Sequence, residues 1–288
     1  MNNVAIKYTN RGDRWFQAVA FLLAASIPVI FLTIFAMLLW QARESIFQFG
    51  FGFIFSSAWD PVKNQYGALP FIYGTLISSL IALVLAVPLG IGTAIFISEL
   101  APAWCKEWIA TTVDLLAAIP SVVYGLWGVF VLGPIFGLSM LCAGVILAIM
   151  ILPTICAVSR EVMQAVPNSL RESARAMGAT QWEMIKTAVL PTAASGIIGS
   201  IVLGLGRAIG ETMAVTMVIG NRPSISLSIF DPGYSLSAVL ANEFAEASSN
   251  LNFSVMVEIA LILLVFAVIV NGLARLFIWK MVSQDHSR

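Results

Sequence analysis

The sequence alternates long apolar runs with shorter polar segments, and the runs are long enough to cross a lipid bilayer. A membrane-spanning helix needs roughly 20 apolar residues. By that measure the pattern predicts six spans: Trp15 to Trp40, Pro70 to Ser98, Trp108 to Leu132, Leu138 to Val158, Ala188 to Ile219 and Val255 to Ile278. We therefore predict an all-α polytopic membrane protein, with a short N-terminal segment at 1–14 and a membrane domain at 15–288.

Composition supports a membrane protein. Of the 288 residues, 59% are hydrophobic and only 10% are charged, which is too apolar for a soluble core. The net charge of zero gives no bulk attraction to nucleic acid. The three cysteines lie in or beside apolar runs at no metal-ligand spacing, so we expect neither a metal site nor a disulfide framework.

The distribution of lysine and arginine predicts the orientation. With a cytoplasmic N-terminus, the outer segments 41–69 and 220–254 hold only Arg43, Lys63 and Arg222, and Arg207 lies within a span. The other eleven of the 15 basic residues then face the cytoplasm: Lys7, Arg11, Arg14, Lys106, Arg160, Arg171, Arg175, Lys186, Arg275, Lys280 and Arg288. The excess predicts that both termini and segment 159–187 are cytoplasmic.

Segment 159–187 contains two helix-start signals. Ser169 is followed three residues later by Glu172, and Thr180 by Glu183, which predicts two capping boxes. Gly178 lies between them, where the first helix needs a left-handed terminal residue. The pattern predicts two short helices that lie at the membrane surface, either to bind a partner or simply as a capped connection.

The fifth span carries the candidate chemistry. Arg207 and Glu211 are four residues apart, which places them on one face of a continuous helix. An arginine at membrane depth is costly and is expected to face a polar cavity or a partner. We hypothesise that Arg207 binds an oxyanion and that Glu211 holds its side chain when the site is empty. The alternative is that the two charges only neutralise each other.

The cytoplasmic segment also resembles a known signature. Glu172, Ser173 and Ala174, then Gly178, then Leu190 and Pro191 have the spacing of the EAA motif of type I ABC importer permeases. Ser173 and Ala188 stand where that motif usually has alanine and isoleucine. The resemblance implies that 159–187 is a coupling loop that docks on a cytoplasmic ATPase, with Ser169 at the start of its first helix.

Three longer stretches sharpen this resemblance. Segments 66–76, 118–133 and 206–221 are similar to the permease subunits of phosphate-specific ABC importers, of the PstC type. The resemblance implies a MetI-like fold and a permease half-pathway for phosphate in the cell inner membrane. It also implies a PstA-type permease partner, two ATP-binding subunits and an extracytoplasmic phosphate-binding protein. ATP and magnesium are expected on the ATPase partners, with no cofactor on this chain, and the chain has no GxxxxGK[ST] phosphate loop of its own.

Several alternatives stay open at this level. The substrate is phosphate or another oxyanion such as sulfate, molybdate or tungstate, and an ATP-independent secondary anion transporter would use similar spans. Asp114 and Glu258 either line the path or have interfacial, structural roles. Either outer segment is a candidate to dock the binding protein, and residues 238–247 form a short helix or a solvated loop.

Overall fold

The computed structural model of the protein describes residues 11–285, and it is helical almost throughout. Most of the N-terminal segment 1–14 and the terminal His286 therefore lie outside the described residues. Within the described residues, five helices are long and apolar enough to cross a membrane, or six if a sharply bent helix pair is counted as one span. The expected all-α membrane fold with about six spans is confirmed.

The first part of the chain contains two long helices separated by short ones. The elements are α1 (Arg11–Gln41), α2 (Arg43–Phe49), α3 (Gly52–Phe55) and α4 (Leu69–Ile95). A wider π-helical turn, Phe96–Leu100, continues α4 without a break. The first outer segment, 41–69, is thus largely helical where the sequence pattern indicated a loop.

The third predicted span, Trp108 to Leu132, is not one straight helix. It consists of α5 (Ala103–Ala118) and α6 (Ser121–Trp127), and the latter continues through a π turn into α7 (Gly133–Phe136). The two arms meet at 91°. Pro120 lacks an amide hydrogen, and the backbone at Ile119 and Pro120 is extended, so the helix cannot pass through. The Tyr124 hydroxyl donates to the Leu116 carbonyl across the bend at 2.8 Å.

The second part of the chain is built on three long helices. Its elements are α8 (Met140–Gln164), α9 (Asn168–Ala176), α10 (Gln181–Met184), α11 (Leu190–Gly210), α12 (Met213–Val218), α13 (Leu236–Glu243) and α14 (Asn250–Asp285). The fifth predicted span, Ala188 to Ile219, is therefore interrupted. Glu211 has an extended backbone, so α11 ends at Gly210 and α12 starts separately.

The bundle has two ends, which we name by what lies there. At the coupling end, the last turns of α4 and α8 meet α9 of the coupling loop, 159–187. At the outer end, the first turns of α4 and α8 contact segment 220–254. Since α5 follows α4 at the coupling end and α7 precedes α8 at the outer end, the bent pair crosses from one end to the other.

Packing divides into three apolar clusters along the bundle. The central cluster joins α4, α8, α11 and α12 around Ala82, Ile146, Ile151 and Val218. Glycine allows close approach here: a Cβ on Gly144 would stand 2.5 Å from the Ile81 side chain. Separate clusters close the coupling end around Met163 and Ile185 and the outer end around Phe71. The long helices therefore form one continuous packed unit, on which the polar sites are placed.

Candidate functional site

The coupling loop forms two helices, but only one of the two predicted capping boxes. Thr180 Oγ1 accepts the Glu183 amide at 3.3 Å, and Glu183 Oε2 accepts the Thr180 amide at 2.8 Å, as predicted. The box predicted for Ser169 and Glu172 is absent. Helix α9 already starts at Asn168 behind Pro167, so Ser169 lies inside the helix and cannot cap it.

Gly178 ends α9 in the left-handed conformation that the sequence indicated. Its φ is +87°, and its amide donates to the Arg175 carbonyl at 2.9 Å. A side chain would meet no atom within 4 Å there, so glycine is required for its backbone freedom and not for space. The glycine turns the chain sharply between the two helices of the loop.

The coupling loop shows much of its surface to solvent. Ala174 is buried against the bundle, whereas Glu172 and Ser173 are exposed. The apolar side chains Met177 and Trp182 are 84% and 60% exposed. Of the apolar residues Leu170, Ala174 and Met177, only Ala174 is buried, so the loop presents a mixed polar and apolar surface to solvent.

The second half of the loop continues into the fifth span. Residues Gln181–Gly210 form one uninterrupted helical span, in which a π turn at Ile185–Val189 precedes half-buried Leu190 and exposed Pro191. Pro191 cannot donate to the carbonyl four residues earlier, and a wider turn at that place accommodates the missing hydrogen bond. The second half of the loop and the fifth span thus form one continuous helix.

A buried ion pair, which the sequence reasoning missed, fixes α9 to the bundle. Arg171 Nη2 lies 2.7 Å from Glu99 Oε1, and the two side chains are only 12% and 5% exposed. Arg171 Nη2 also donates to the Met163 carbonyl at 2.7 Å, and Nη1 donates to the Val166 carbonyl. A glutamate at the end of an apolar span was the available signal, but its partner lies 72 positions away.

Arg207 and Glu211 do not share a helical face, contrary to the prediction. Arg207 is in the last turn of α11, while Glu211 lies beyond the helix end. Among residues 11–285 no ion pair joins them. Arg207 Nη1 instead donates to Thr154 Oγ1 on α8 at 3.2 Å, and Glu211 Oε1 accepts the Ala214 amide at 3.4 Å. Simple mutual neutralisation does not describe this arrangement.

The level of Arg207 in the bundle follows from its contact with α8. Thr154 lies 14 residues after the start of α8 at Met140 and ten before its end at Gln164. Arg207, in the last turn of α11, therefore lies level with the middle of α8, yet it is an exposed residue. Exposure of an arginine to lipid at this depth is costly, which indicates that this surface faces water or another protein.

The helix α11 is interrupted at Glu211, four residues after Arg207. The Glu211 carbonyl accepts the Ser237 hydroxyl at 2.8 Å, which ties the break to α13. Interrupted helices at membrane depth are tolerated where the backbone is buried in protein or lines a cavity. Arg207 and the half-buried Glu211 flank this interruption, so both remain candidates for a polar path.

Asp114 and Glu258, whose roles were left open, contact neighbouring helices. Asp114 Oδ2 lies 3.8 Å from Arg160 Nη2 of α8, and its side chain is 53% exposed. Glu258 is 6% exposed and accepts a hydrogen bond from the Ser45 hydroxyl, which joins α14 to α2. Each carboxyl group therefore links two helices: Asp114 joins α5 to α8, and Glu258 joins α14 to α2.

At the outer end, segment 220–254 contains the short helix that was one of the two alternatives. Helix α13 covers Leu236–Glu243, and a tighter turn follows it at Phe244–Glu246. Glu243 accepts hydrogen bonds from Trp59 Nε1 and the Tyr234 hydroxyl, each at 3.1 Å. Burial raises the pKa of the Glu243 carboxyl, while these two hydrogen bonds act in the opposite direction. Only Glu246 of the two glutamates is exposed.

Comparisons with known proteins agree with this architecture. Residues 86–282 match the family described as binding-protein-dependent transport system inner membrane component. The chain is 40% identical to the phosphate transport system permease protein PstC of Pasteurella multocida, over 94% of this chain and 91% of the relative. It is 42% identical to the protein of the same name from Mesorhizobium japonicum, over 92% and 88%.

Solved structures give the same fold at much lower identity. The bacterial ABC transporter that imports the acidic polysaccharide alginate has a chain that matches with a TM-score of 0.61 and 16% identity, over 94% of this chain and 99% of that one. The MetNI methionine ABC transporter, in an inward-facing conformation, matches with a TM-score of 0.58 and 19% identity, over 75% and 94%. These two similarities concern the fold alone.

Proposed function

The chain belongs to the family of binding-protein-dependent transport system inner membrane components, and we propose that it is one permease half of an ATP-driven importer of inorganic phosphate. The observation that carries the proposal is the exposed guanidinium of Arg207 near the middle of the bundle. Two relatives about 40% identical over nearly the full chain are named phosphate transport permeases, which supports phosphate as the substrate.

Arg207 has the chemistry that phosphate requires. A guanidinium group presents paired donors in a plane, and it keeps its charge at any physiological pH. Its one hydrogen bond to Thr154, a neutral partner, leaves most of its donors free for an anion. Glu211 lies next to the helix break. Its carboxylate would repel an anion bound nearby and so limit the affinity of the site.

An arginine exposed at this depth also requires another protein surface that shields it from lipid. A PstA-type permease that packs on this surface would enclose Arg207 in a water-filled path between the two subunits. We propose that pairing, together with location in the cell inner membrane and cytoplasmic termini as the charge distribution predicts.

The coupling loop provides the surface for the motor. Two copies of an ATP-binding subunit, which carry ATP and magnesium, would bind exposed Glu172, Ser173, Met177 and Trp182. Because Gln181–Gly210 is one helical span, a displacement at the loop reaches Arg207 over 26 residues, about 39 Å at 1.5 Å per residue. This chain moves, and the hydrolysis takes place on its partners.

The test is transport by the complete complex in proteoliposomes, with the partner permease, the ATPase and the binding protein. Phosphate is compared with sulfate and molybdate, for the natural chain and for Arg207→Gln. We expect stimulation of ATP hydrolysis and uptake by phosphate alone, with uptake lost in Arg207→Gln. Arg14→Gln, an exposed arginine at the start of α1, is the matched control and should transport normally.

Other results would correct the proposal in different places. Stimulation by sulfate or molybdate would keep the importer and change its substrate. Full transport and selectivity in Arg207→Gln would remove the arginine from the path. Anion transport without any ATPase would contradict the importer and favour a secondary transporter.

A further inference from the structure

The second helical span, α4, has polar connections at both ends that the proposed function does not use. At the coupling end, Glu99 in its terminal π turn contacts the coupling loop. At the outer end, its first turns contact segment 220–254. These two places are the surfaces at which an ATPase and a binding protein would act.

At the coupling end, Arg171 gathers three parts of the chain around one guanidinium. Its Nε and Nη2 donate to the two carboxylate oxygens of Glu99 at 3.3 and 2.7 Å, which is a two-point contact with α4. Nη2 also donates to the carbonyl of Met163 in the last turn of α8, and Nη1 donates to the carbonyl of Val166 just after that helix. Since the fork is planar and fully engaged, α9 has one defined orientation relative to both helices.

The other half of the coupling loop is tied to the same residue. Gln181 Nε2 donates to the Glu99 carbonyl at 3.1 Å, and Arg175 Nη2 donates to Gln181 Oε1 at 3.0 Å. Glu99 therefore contacts α9 through its carboxylate and α10 through its backbone carbonyl. Any displacement of the loop acts on the end of α4 as well as on α11.

At the outer end, α4 is bound to the segment between α12 and α13. The Tyr73 hydroxyl donates to the Ser226 carbonyl at 2.6 Å, and the Leu236 amide donates to Thr75 Oγ1 at 3.0 Å. Between them, Gly74 lies directly under the Tyr234 backbone, where a Cβ would stand 2.3 Å from its carbonyl oxygen. The contact is therefore tight and hydrogen-bonded on both sides.

Stability alone does not account for a charged pair at the coupling end. Buried ion pairs lose hydration, and apolar replacements of similar volume are often neutral or stabilising. The pair instead fixes the orientation of α9 relative to α4, because each hydrogen bond restricts an angle that apolar packing leaves free. A joint that must transmit motion at a fixed orientation needs that property.

We propose that α4 is a second transmission element, joined to the coupling loop by Glu99 and Arg171 and to the outer segment by Tyr73 and Thr75. Glu99 and Arg171 are positioning residues in it. Nucleotide binding by the ATPase then changes the conformation of segment 220–254. In the other direction, a binding protein docked on that segment changes the conformation of the coupling loop. The inference rests on the proposed function, since it requires an ATPase at one end and a binding protein at the other.

The first measurement uses the whole reconstituted complex with Arg171→Lys and Glu99→Gln. Arg171→Lys keeps the charge but cannot make the two-point contact and the carbonyl contacts together, and Glu99→Gln keeps the shape without the charge. We expect intact assembly, nearly unchanged basal ATP hydrolysis, and stimulation by the phosphate-loaded binding protein reduced by about 5-fold or more, the low end of typical coupling factors. Asp114→Asn, which loosens a 3.8 Å and half-exposed pair, is the matched control.

The second measurement follows the outer end directly. A fluorescent label is placed at Leu227→Cys, which is 97% exposed beside Ser226, in a chain that also carries Cys105→Ser so that only buried thiols remain. ATP added with magnesium chelated should change the label signal in the natural background. The change should be clearly reduced in Arg171→Lys and in Tyr73→Phe, which breaks the hydrogen bond at the opposite end of α4, and α11 should transmit what remains.

The outcomes separate this inference from the function on which it rests. If the natural complex shows no stimulation by the loaded binding protein, the proposed function fails. If it is stimulated and the variants are stimulated equally, or the label responds as strongly in Arg171→Lys as in the natural chain, α4 does not transmit the change. Loss of assembly in both Arg171→Lys and Glu99→Gln would show that the pair only holds the fold, which also overturns the inference.

Discussion

The outer end of the bundle is built around a chain of aromatic rings. Trp59 meets Phe71 edge-on at 4.7 Å between ring centroids, and Phe71 meets Tyr234 at 5.2 Å. Tyr66 stands 5.3 Å from Trp59 on the other side. The coupling end has no comparable ring contact among the described residues, and Trp182 there is largely exposed.

The coupling end has aliphatic packing around Met163 and Ile185 in place of stacked rings, and it adds several charged and capping contacts. Arg171 binds Glu99 and two backbone carbonyls, and Thr180 and Glu183 cap α10. Rings give a large apolar contact that tolerates small shifts, whereas hydrogen bonds weaken steeply with angle. Aromatic packing therefore stabilises the outer end, whereas hydrogen bonds at the coupling end hold a short helix in one orientation.

The largest expected effect tests cohesion at the outer end. Phe71→Ala removes a fully buried ring with two aromatic partners, so we expect a loss of about 3 to 5 kcal/mol in the free energy of unfolding. Reversible denaturant unfolding in detergent measures it. Leu227→Ala, at a 97% exposed position of the same end, should change it little, and a loss in Phe71→Ala no greater than that would refute the aromatic core.

A smaller effect tests how closely α4 meets the outer segment. Gly74→Ala places a Cβ 2.3 Å from the Tyr234 carbonyl oxygen, and we expect overpacking to cost about 1 to 3 kcal/mol. Gly92→Ala in the same helix meets no atom within 4 Å and should stabilise the protein by about 0.5 to 1 kcal/mol. Equal effects from the two variants, in the same unfolding assay, would contradict the close approach.

At the coupling end, the N-terminal cap on α10 contributes less to stability than the outer-end packing does. Thr180→Ala removes the acceptor for the Glu183 amide, which should cost about 1 kcal/mol locally and speed amide exchange in α10 by about fivefold. Ser169→Ala is the matched control, because Ser169 lies inside α9 and caps nothing. Hydrogen exchange followed by mass spectrometry compares the two. If Thr180→Ala speeds amide exchange in α9 and leaves α10 unchanged, Thr180 does not cap α10.

The smallest effect is a pH dependence at the outer end. Burial raises the pKa of Glu243, so the folded protein binds this proton more tightly than the unfolded chain does. The resulting stabilisation is complete below the unfolded pKa and is lost as the pH rises through the folded pKa. The unfolding midpoint should therefore fall between about pH 4 and neutrality by more in the natural chain than in Glu243→Gln. Parallel pH profiles would exclude Glu243 as the source.

Local signals were sufficient where the structure depends on neighbouring residues. The apolar runs predicted the long helices, because each run must satisfy its backbone internally in a membrane. Gly178 and the box of Thr180 with Glu183 were predicted correctly, since a left-handed turn and a cap involve atoms three or four residues apart. The same reasoning failed at Ser169, where the helix starts at Asn168, two residues earlier than the motif suggests.

The candidate path was only partly readable from sequence. Arg207 was recognisable as a charge in an apolar run, but its partner Thr154 lies 53 positions earlier on another helix. Glu211 was placed on the same face by spacing alone, and that was wrong because α11 stops at Gly210. The Ser237 hydroxyl bonds the carbonyl at that break from 26 positions away, which no helical periodicity encodes.

The apolar runs, the charge distribution and the paired helix-start signals were enough to predict a bundle of membrane helices and a short helical loop between two of them. The bend of 91° at Pro120, the pairing of Glu99 with Arg171 and the exposed position of Arg207 level with the middle of α8 became visible only in the packed bundle. The reason is one of range. Apolar burial and capping act over a few residues, whereas pairing of side chains on separate helices depends on how those helices pack.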